Sequence, residues 1–115
     1  MTVGGAVALI LAIPTRDHKG LDDVLSDVFA RSKFFTLVKV NGKAEVIKVV
    51  ENPYFGLKYG VGPLVLKMLR DEGVEAVIVP EIGEGLKQLA EEFGIKIFRS
   101  SAGVRVAKAL ELVTA

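Results

Sequence analysis

Residues 60–98, GVGPLVLKMLRDEGVEAVIVPEIGEGLKQLAEEFGIKIF, restrict the fold more than any other part of the chain. Gly60 and Gly62 open an amphipathic run, with Pro63 expected at the first helical position, where a missing N–H costs nothing. Val61, Leu64, Val65, Met68 and Leu69 recur at helical spacing and share one face, while Lys67, Arg70, Asp71 and Glu72 point away. Gly73 supplies a left-handed stop. The unbroken run Ala76-Val77-Ile78-Val79 suits a strand covered on both faces. After the turn Pro80-Glu81-Ile82-Gly83, a second helix carries Leu86, Leu89, Ala90 and Phe93, Gly94 ends it, and Ile95 to Phe98 reads as another strand. Helix, strand, helix, strand in this order predicts two parallel strands joined by a right-handed crossover.

The rest of the chain extends that unit. Ala6 to Ile13 is apolar throughout and reads as a central strand ended by Pro14, with Gly4-Gly5 as a lead-in. A polar loop, Thr15 to Gly20, precedes a predicted helix from Leu21 to Arg31 with an apolar face of Leu21, Val24, Leu25, Val28 and Phe29. Phe34 to Val40 and Ala44 to Val50 form an antiparallel pair around Asn41-Gly42, a dipeptide suited to a type I′ hairpin. Glu51 to Tyr59 has no period and reads as a loop. Ser100-Ser101 offers an N-cap to a last helix carrying Val104, Ala107 and Leu110 and ending near Val113. With strands numbered along the chain, these elements predict an α/β fold: a five-stranded mixed sheet of order 3-2-1-4-5 with helices on both faces, within a single domain spanning residues 1–115. In such a sheet ligands bind beyond the carboxyl ends of the strands, where the connections diverge. The loops expected there are 14–18 and 80–83, with 58–62 nearby.

Composition removes several functions. Fifteen basic and fourteen acidic residues leave a net charge of +1, so no global field draws the protein to nucleic acid or to a membrane. Arg99, Arg105 and Lys108 are interrupted by apolar positions and read as a solvated face. The absence of cysteine excludes disulfides, thiolate catalysis and sulfur-ligated metal within one chain. Val3 to Ile13 lacks a basic leader and is too short to span a bilayer, so a cytoplasmic location is expected.

Together, the helix Leu21 to Arg31, Glu51-Asn52-Pro53, Gly60-Val61-Gly62-Pro63 and Glu81-Ile82-Gly83 resemble the dinitrogenase iron-molybdenum cofactor-binding family over residues 6–113. The resemblance implies a three-layer ribonuclease H-like fold. It also implies a non-enzymatic carrier or scaffold of iron-molybdenum or iron-sulfur clusters. Three positions depart from the family's pattern: in Ser26-Asp27-Val28-Phe29-Ala30-Arg31, Val28 stands where histidine is usual and Ala30 where glycine is. In Lys58-Tyr59-Gly60, Tyr59 replaces another histidine. The alternative is therefore a regulatory or interaction module of the same fold that has lost the cluster and binds a phosphorylated small molecule or a protein.

The residues themselves offer a set of candidate contacts. The helix start at Gly60 and Gly62 presents free N–H groups to an anion, with Arg16 and Lys58 as assisting cations. Its plainer reading is a tight turn. His18, the single imidazole, sits in the first loop beside Thr15, and one histidine without further donors is no metal site. Glu81 could act as a base, hydrogen-bond the loop at Gly83, or simply cap the next helix. Tyr54, Phe55 and Tyr59 form either a partner-binding patch or a cover for the sheet edge. Asp22, Asp23 and Asp27 are expected to be solvated, and the first strand has no carboxylate for two-metal nuclease chemistry. The cofactor-contact set is Thr15, Arg16, His18, Lys58, Tyr59, Gly60, Gly62, Glu81 and Gly83, with no catalytic residue and no fixed metal ligand. The sequence leaves the oligomeric state open.

Overall fold

A computed structural model describes residues 8–114; the expected lead-in at Gly4-Gly5 and the start of the first strand at Ala6 lie outside them. Strands β1 (Leu9–Thr15), β2 (Phe34–Asn41), β3 (Lys43–Glu51), β4 (Ala76–Val79) and β5 (Lys96–Arg99) form one sheet in the order β3-β2-β1-β4-β5. β1 pairs antiparallel with β2 and parallel with β4, and β4 pairs parallel with β5. Helices α1 (Val61–Asp71) and α2 (Glu84–Glu92) cover one face; the short helix α3 (Val106–Ala109) covers the other, followed by α4 (Glu111–Thr114). The predicted order and the two-faced cover are both present. Among the described residues no helix is long and apolar enough to cross a membrane.

Alternation explains why β1 and β4 look apolar throughout. Leu11, Ile13, Ala76 and Ile78 pack toward α3, while Ala12, Val77 and Val79 pack toward α1 and α2. The two glycine stops also fall as expected, with φ of 88° at Gly73 and 74° at Gly94.

The main correction is at residues 21–31, which are not a helix. Beyond a 3-10 turn at Gly20–Asp22 the segment is irregular. Leu25 packs into the core under α3, whereas Phe29 packs into the core under α1, so the chain crosses over the end of the sheet between them. No single helical face could reach both cores. The backbone groups find distant partners instead: Leu25 N donates to Val104 O at 2.8 Å, Gly103 N to Leu25 O at 2.9 Å, and Ser26 N to Pro14 O at 2.9 Å. Asp23 is buried rather than solvated, and its carboxylate accepts from the amides of Asp17, Lys19 and Val24.

Smaller differences have similar physical reasons. Pro14 does not end β1, which runs through to Thr15. Asn41 pairs with Lys43 across Gly42, and only Gly42 has positive φ, so the hairpin is not type I′. Gly60, at φ 73°, is the N-cap of α1, which places Pro63 third in the helix, still among the amides without an intrahelical partner. The buried face of α1 is Val61, Val65, Leu66 and Leu69, with Leu64 turned outward. The last helix begins at Val106 after Arg105, without a side-chain cap from Ser100 or Ser101, and buries Val106, Ala109 and Leu110 instead of Ala107.

Candidate functional site

At the carboxyl ends of β1 and β4 the chain leaves a cleft of about 430 Å³. One wall is residues 27–30, the other is Glu81-Ile82-Gly83, and Leu86 and Arg99 complete it. This is the point where the sheet's connections diverge.

Each wall is held by identifiable contacts. Asn52, almost fully buried, donates through Nδ2 to Ala30 O and Ser32 O, both at 2.8 Å, and accepts from Tyr54 N at 2.9 Å. The Glu-Asn-Pro segment is thus a clamp on the first wall. Arg31 extends from the same wall and donates to Leu57 O at 2.7 Å and Lys58 O at 2.6 Å. It ties the loop before α1 to the cleft rim. The second wall follows β4, and Arg99 Nε donates to Pro80 O at 3.2 Å. α2 begins after Gly83 with no side-chain cap, so Glu81 does not cap it and its first amides stay open. α1 approaches from the side: a Cβ on Gly62 would stand 2.9 Å from Leu86 Cδ1.

The charges of the cleft balance. Asp27 is paired with Arg16 at 2.9 Å, and Glu81 shares the cleft with Arg99. An exposed pair such as Arg16–Asp27 contributes little to stability but sets what a ligand meets.

The structure brings together only part of the expected contact set. Glu81 and Gly83 line the cleft, Arg16 reaches it through Asp27, and Gly62 supports it through Leu86. Lys58, Tyr59 and Gly60 stand on the neighbouring rim, exposed. Thr15 is buried, its hydroxyl 2.9 Å from that of Thr36, and its carbonyl accepts from Ser32 Oγ. His18 lies elsewhere, lining a separate hollow with Phe34, Val49 and Glu51, and its Nδ1 is 2.7 Å from Asp17. The amide of His18, with smaller help from the imidazole and Lys19, holds the Asp17 carboxyl below its usual value. Among the described residues no three His, Cys, Asp or Glu side chains converge to hold a metal ion. Sequence reasoning missed Arg99, Asp27 and Arg31; adjacency of 99 to the end of β5, beside the β4 turn, was the available signal.

A five-stranded mixed sheet with helices on both faces and a cleft between two strand-end loops defines an α/β domain with an open crevice at its switch point. The chain belongs to the dinitrogenase iron-molybdenum cofactor family, whose model matches residues 8–115. An uncharacterized protein of Methanocaldococcus jannaschii, MJ0580, is 28% identical over 92 residues, covering 79% of this chain and 74% of that protein. Among solved structures, TM1290 from Thermotoga, described as a candidate NifB protein of the DUF35 family, is 32% identical with a TM-score of 0.69, covering 90% of this chain and 84% of that one. The crystal structure of PH0822 is 25% identical with a TM-score of 0.74, covering 92% and 90%. The apo orange protein of Desulfovibrio gigas, at 24% identity and TM-score 0.75 over 92% and 87%, shares the fold.

Proposed function

We propose that this protein is a non-enzymatic carrier or scaffold for an anionic metal cluster of the iron-molybdenum or iron-sulfur type, held in the cleft between residues 27–30 and 81–83. One observation carries the reading: the family's marks at 26–31, 52, 60–63 and 81–83 meet at one end of the sheet and either line the cleft or hold its walls. The donor set defines what could be held. With no thiolate or imidazole in the cleft, a cargo keeps its own ligands and is bound through Arg99, main-chain amides and the apolar side chains of Val28 and Leu86. Such binding suits a coordinatively complete cluster in transit.

A second reading, an interaction module that binds a phosphorylated small molecule or a protein, is favoured by Val28, 45% exposed where the family's histidine is usual. One experiment separates them. The protein is mixed anaerobically with extracted iron-molybdenum cofactor, passed through gel filtration, and assayed for iron and molybdenum. Stoichiometric retention, lost in Arg99→Ala and kept in His18→Ala, is the expected result. Loss in His18→Ala alone moves the site to the first loop, and no retention by the wild type ends the carrier reading.

A further inference from the structure

Residues 52–70 contain no acidic side chain, in a chain where fourteen of 115 residues are acidic, about one in eight. The same stretch holds four outward-facing apolar side chains: Tyr59 is 87% exposed, Phe55 50%, Leu57 43% and Leu64 37%. Lys58 and Lys67 stand among them, both exposed, and neither forms a salt bridge among the described residues. Arg70, by contrast, is engaged over the Phe93 ring at 4.3 Å. A hollow lined by Tyr54, Leu64, Lys67 and Met68 joins the loop to α1. The carboxylates at its far end are occupied, Glu72 with Lys48 at 2.6 Å and Asp71 beside Arg70 at 3.6 Å.

Exposed aromatic and aliphatic side chains cost solubility without stabilising the monomer, and a concentration of them marks an interaction surface. Position adds to that. Arg31 fixes the carbonyls of Leu57 and Lys58 to the first cleft wall, and Gly62 touches Leu86 of the cleft, so this surface is continuous with the cleft rim.

We infer that the loop 53–60 and the outer side of α1 form a docking surface for an acidic, apolar segment of a protein partner. Tyr59 is the anchor, and Lys58 and Lys67 select for carboxylates. Two lysines give about 1 kcal/mol each at an anionic bilayer, too little for stable attachment, so a protein is favoured over a lipid surface. A second copy of the chain is disfavoured because the patch would meet its own lysines. A partner seated here borders the cleft and covers it. The docking does not depend on what the cleft carries.

The test uses the full chain without any cluster, so its result is independent of the cargo experiment. The probe is a short synthetic peptide alternating glutamate with leucine and phenylalanine, followed by amide NMR. Its controls are the same peptide with lysine in place of glutamate, vesicles of phosphatidylcholine and phosphatidylserine, and sedimentation of the protein alone. The expected result is shifts confined to residues 55–67 with the acidic peptide, weakening as salt is raised. Tyr59→Ser is expected to lower affinity about tenfold with an unchanged melting temperature. Lys58→Glu with Lys67→Glu should reverse the preference between peptides. Shifts elsewhere, indifference to the sign of the peptide, binding to vesicles but not to peptide, or self-association through these residues would each overturn the proposal.

Discussion

Gly62 and Leu86 meet so closely that a methyl group added at position 62 would lie 2.9 Å from Leu86 Cδ1 and 3.2 Å from Leu86 Cδ2. The contact joins α1 to α2 and places the Leu86 side chain at the cleft. Only the end of a flexible side chain stands in the way, and Gly62 is helical. Gly62→Ala should therefore gain about 1 kcal/mol of helix propensity and lose a similar amount to displacement of Leu86. The melting temperature should change by no more than a few degrees, while NMR shifts of the Leu86 methyls and any cleft ligand's affinity should change clearly. A large loss of stability would mean that the helices, not the side chain, have to move.

Gly60, two residues earlier, answers to a different constraint. Its φ is 73° and, apart from the local backbone, no heavy atom lies within 4 Å of the point a Cβ would take. Space is available but the backbone conformation disfavours an L side chain. Gly60→Ala should cost about 1 to 2 kcal/mol in urea unfolding, and Gly60→Asn less, because asparagine tolerates this region better.

Asn52 is the buried clamp of the first wall. Asn52→Ala removes two donors from the carbonyls of Ala30 and Ser32 and one acceptor from the amide of Tyr54. A loss of about 2 to 3 kcal/mol is expected. Asn52→Asp should be no better, since a carboxylate can only accept and would face two carbonyl oxygens. Equal stability of the aspartate variant and the wild type would show that the clamp works through shape alone.

Arg31 acts on the rim rather than on the core. Arg31→Lys cannot reproduce the forked donation to two successive carbonyls. Amide hydrogen exchange should quicken in residues 55–60 with little change in the global melting temperature. Uniform quickening across the sheet would contradict this local role.

Asp17 gives the loop an acid limit. Its carboxyl sits below the ordinary aspartate value of 3.8, held mainly by the His18 amide. A carboxyl whose native value lies below its unfolded one stabilises the fold fully above the unfolded value. That contribution fades as pH falls through the lowered native value. Carboxyl NMR should place the Asp17 midpoint below 3.8, and Asp17→Asn should remove this part of the acid dependence of unfolding.

The sheet order and the unit from Val61 to Arg99 were legible because their signals are local. β-branched runs mark buried strands, and Gly73 and Gly94 mark helix ends by the φ that only glycine adopts freely. Residues 21–31 were not legible for the opposite reason. Leu21, Val24, Leu25, Val28 and Phe29 have helical spacing, yet Leu21 and Val28 are exposed, Val24 is only half-buried, and Leu25 and Phe29 divide between two cores. Asp23 takes three backbone amides that a helix would need to arrange otherwise, and Leu25 bonds to residues 103 and 104, beyond any local window. The cleft was legible as a place, through the strand ends, and through Glu81 and Gly83. Arg99 and Asp27 were hidden because each looks like an ordinary surface charge until the turns bring them together.

The pairing of residues 23–26 with Pro14 on one side and residues 103–106 on the other has a consequence for how the protein is made. The sheet's first hairpin can form while the chain is still being synthesised, since its contacts are near in sequence. The segment that leads into the first cleft wall cannot, because Leu25 and Asp23 wait for Val104 and Val106. A nascent chain that has not yet reached Gly103 leaves Asp23 and Leu25 without these partners, so the strap that leads into the cleft is fixed only after the sheet's first hairpin is already in place.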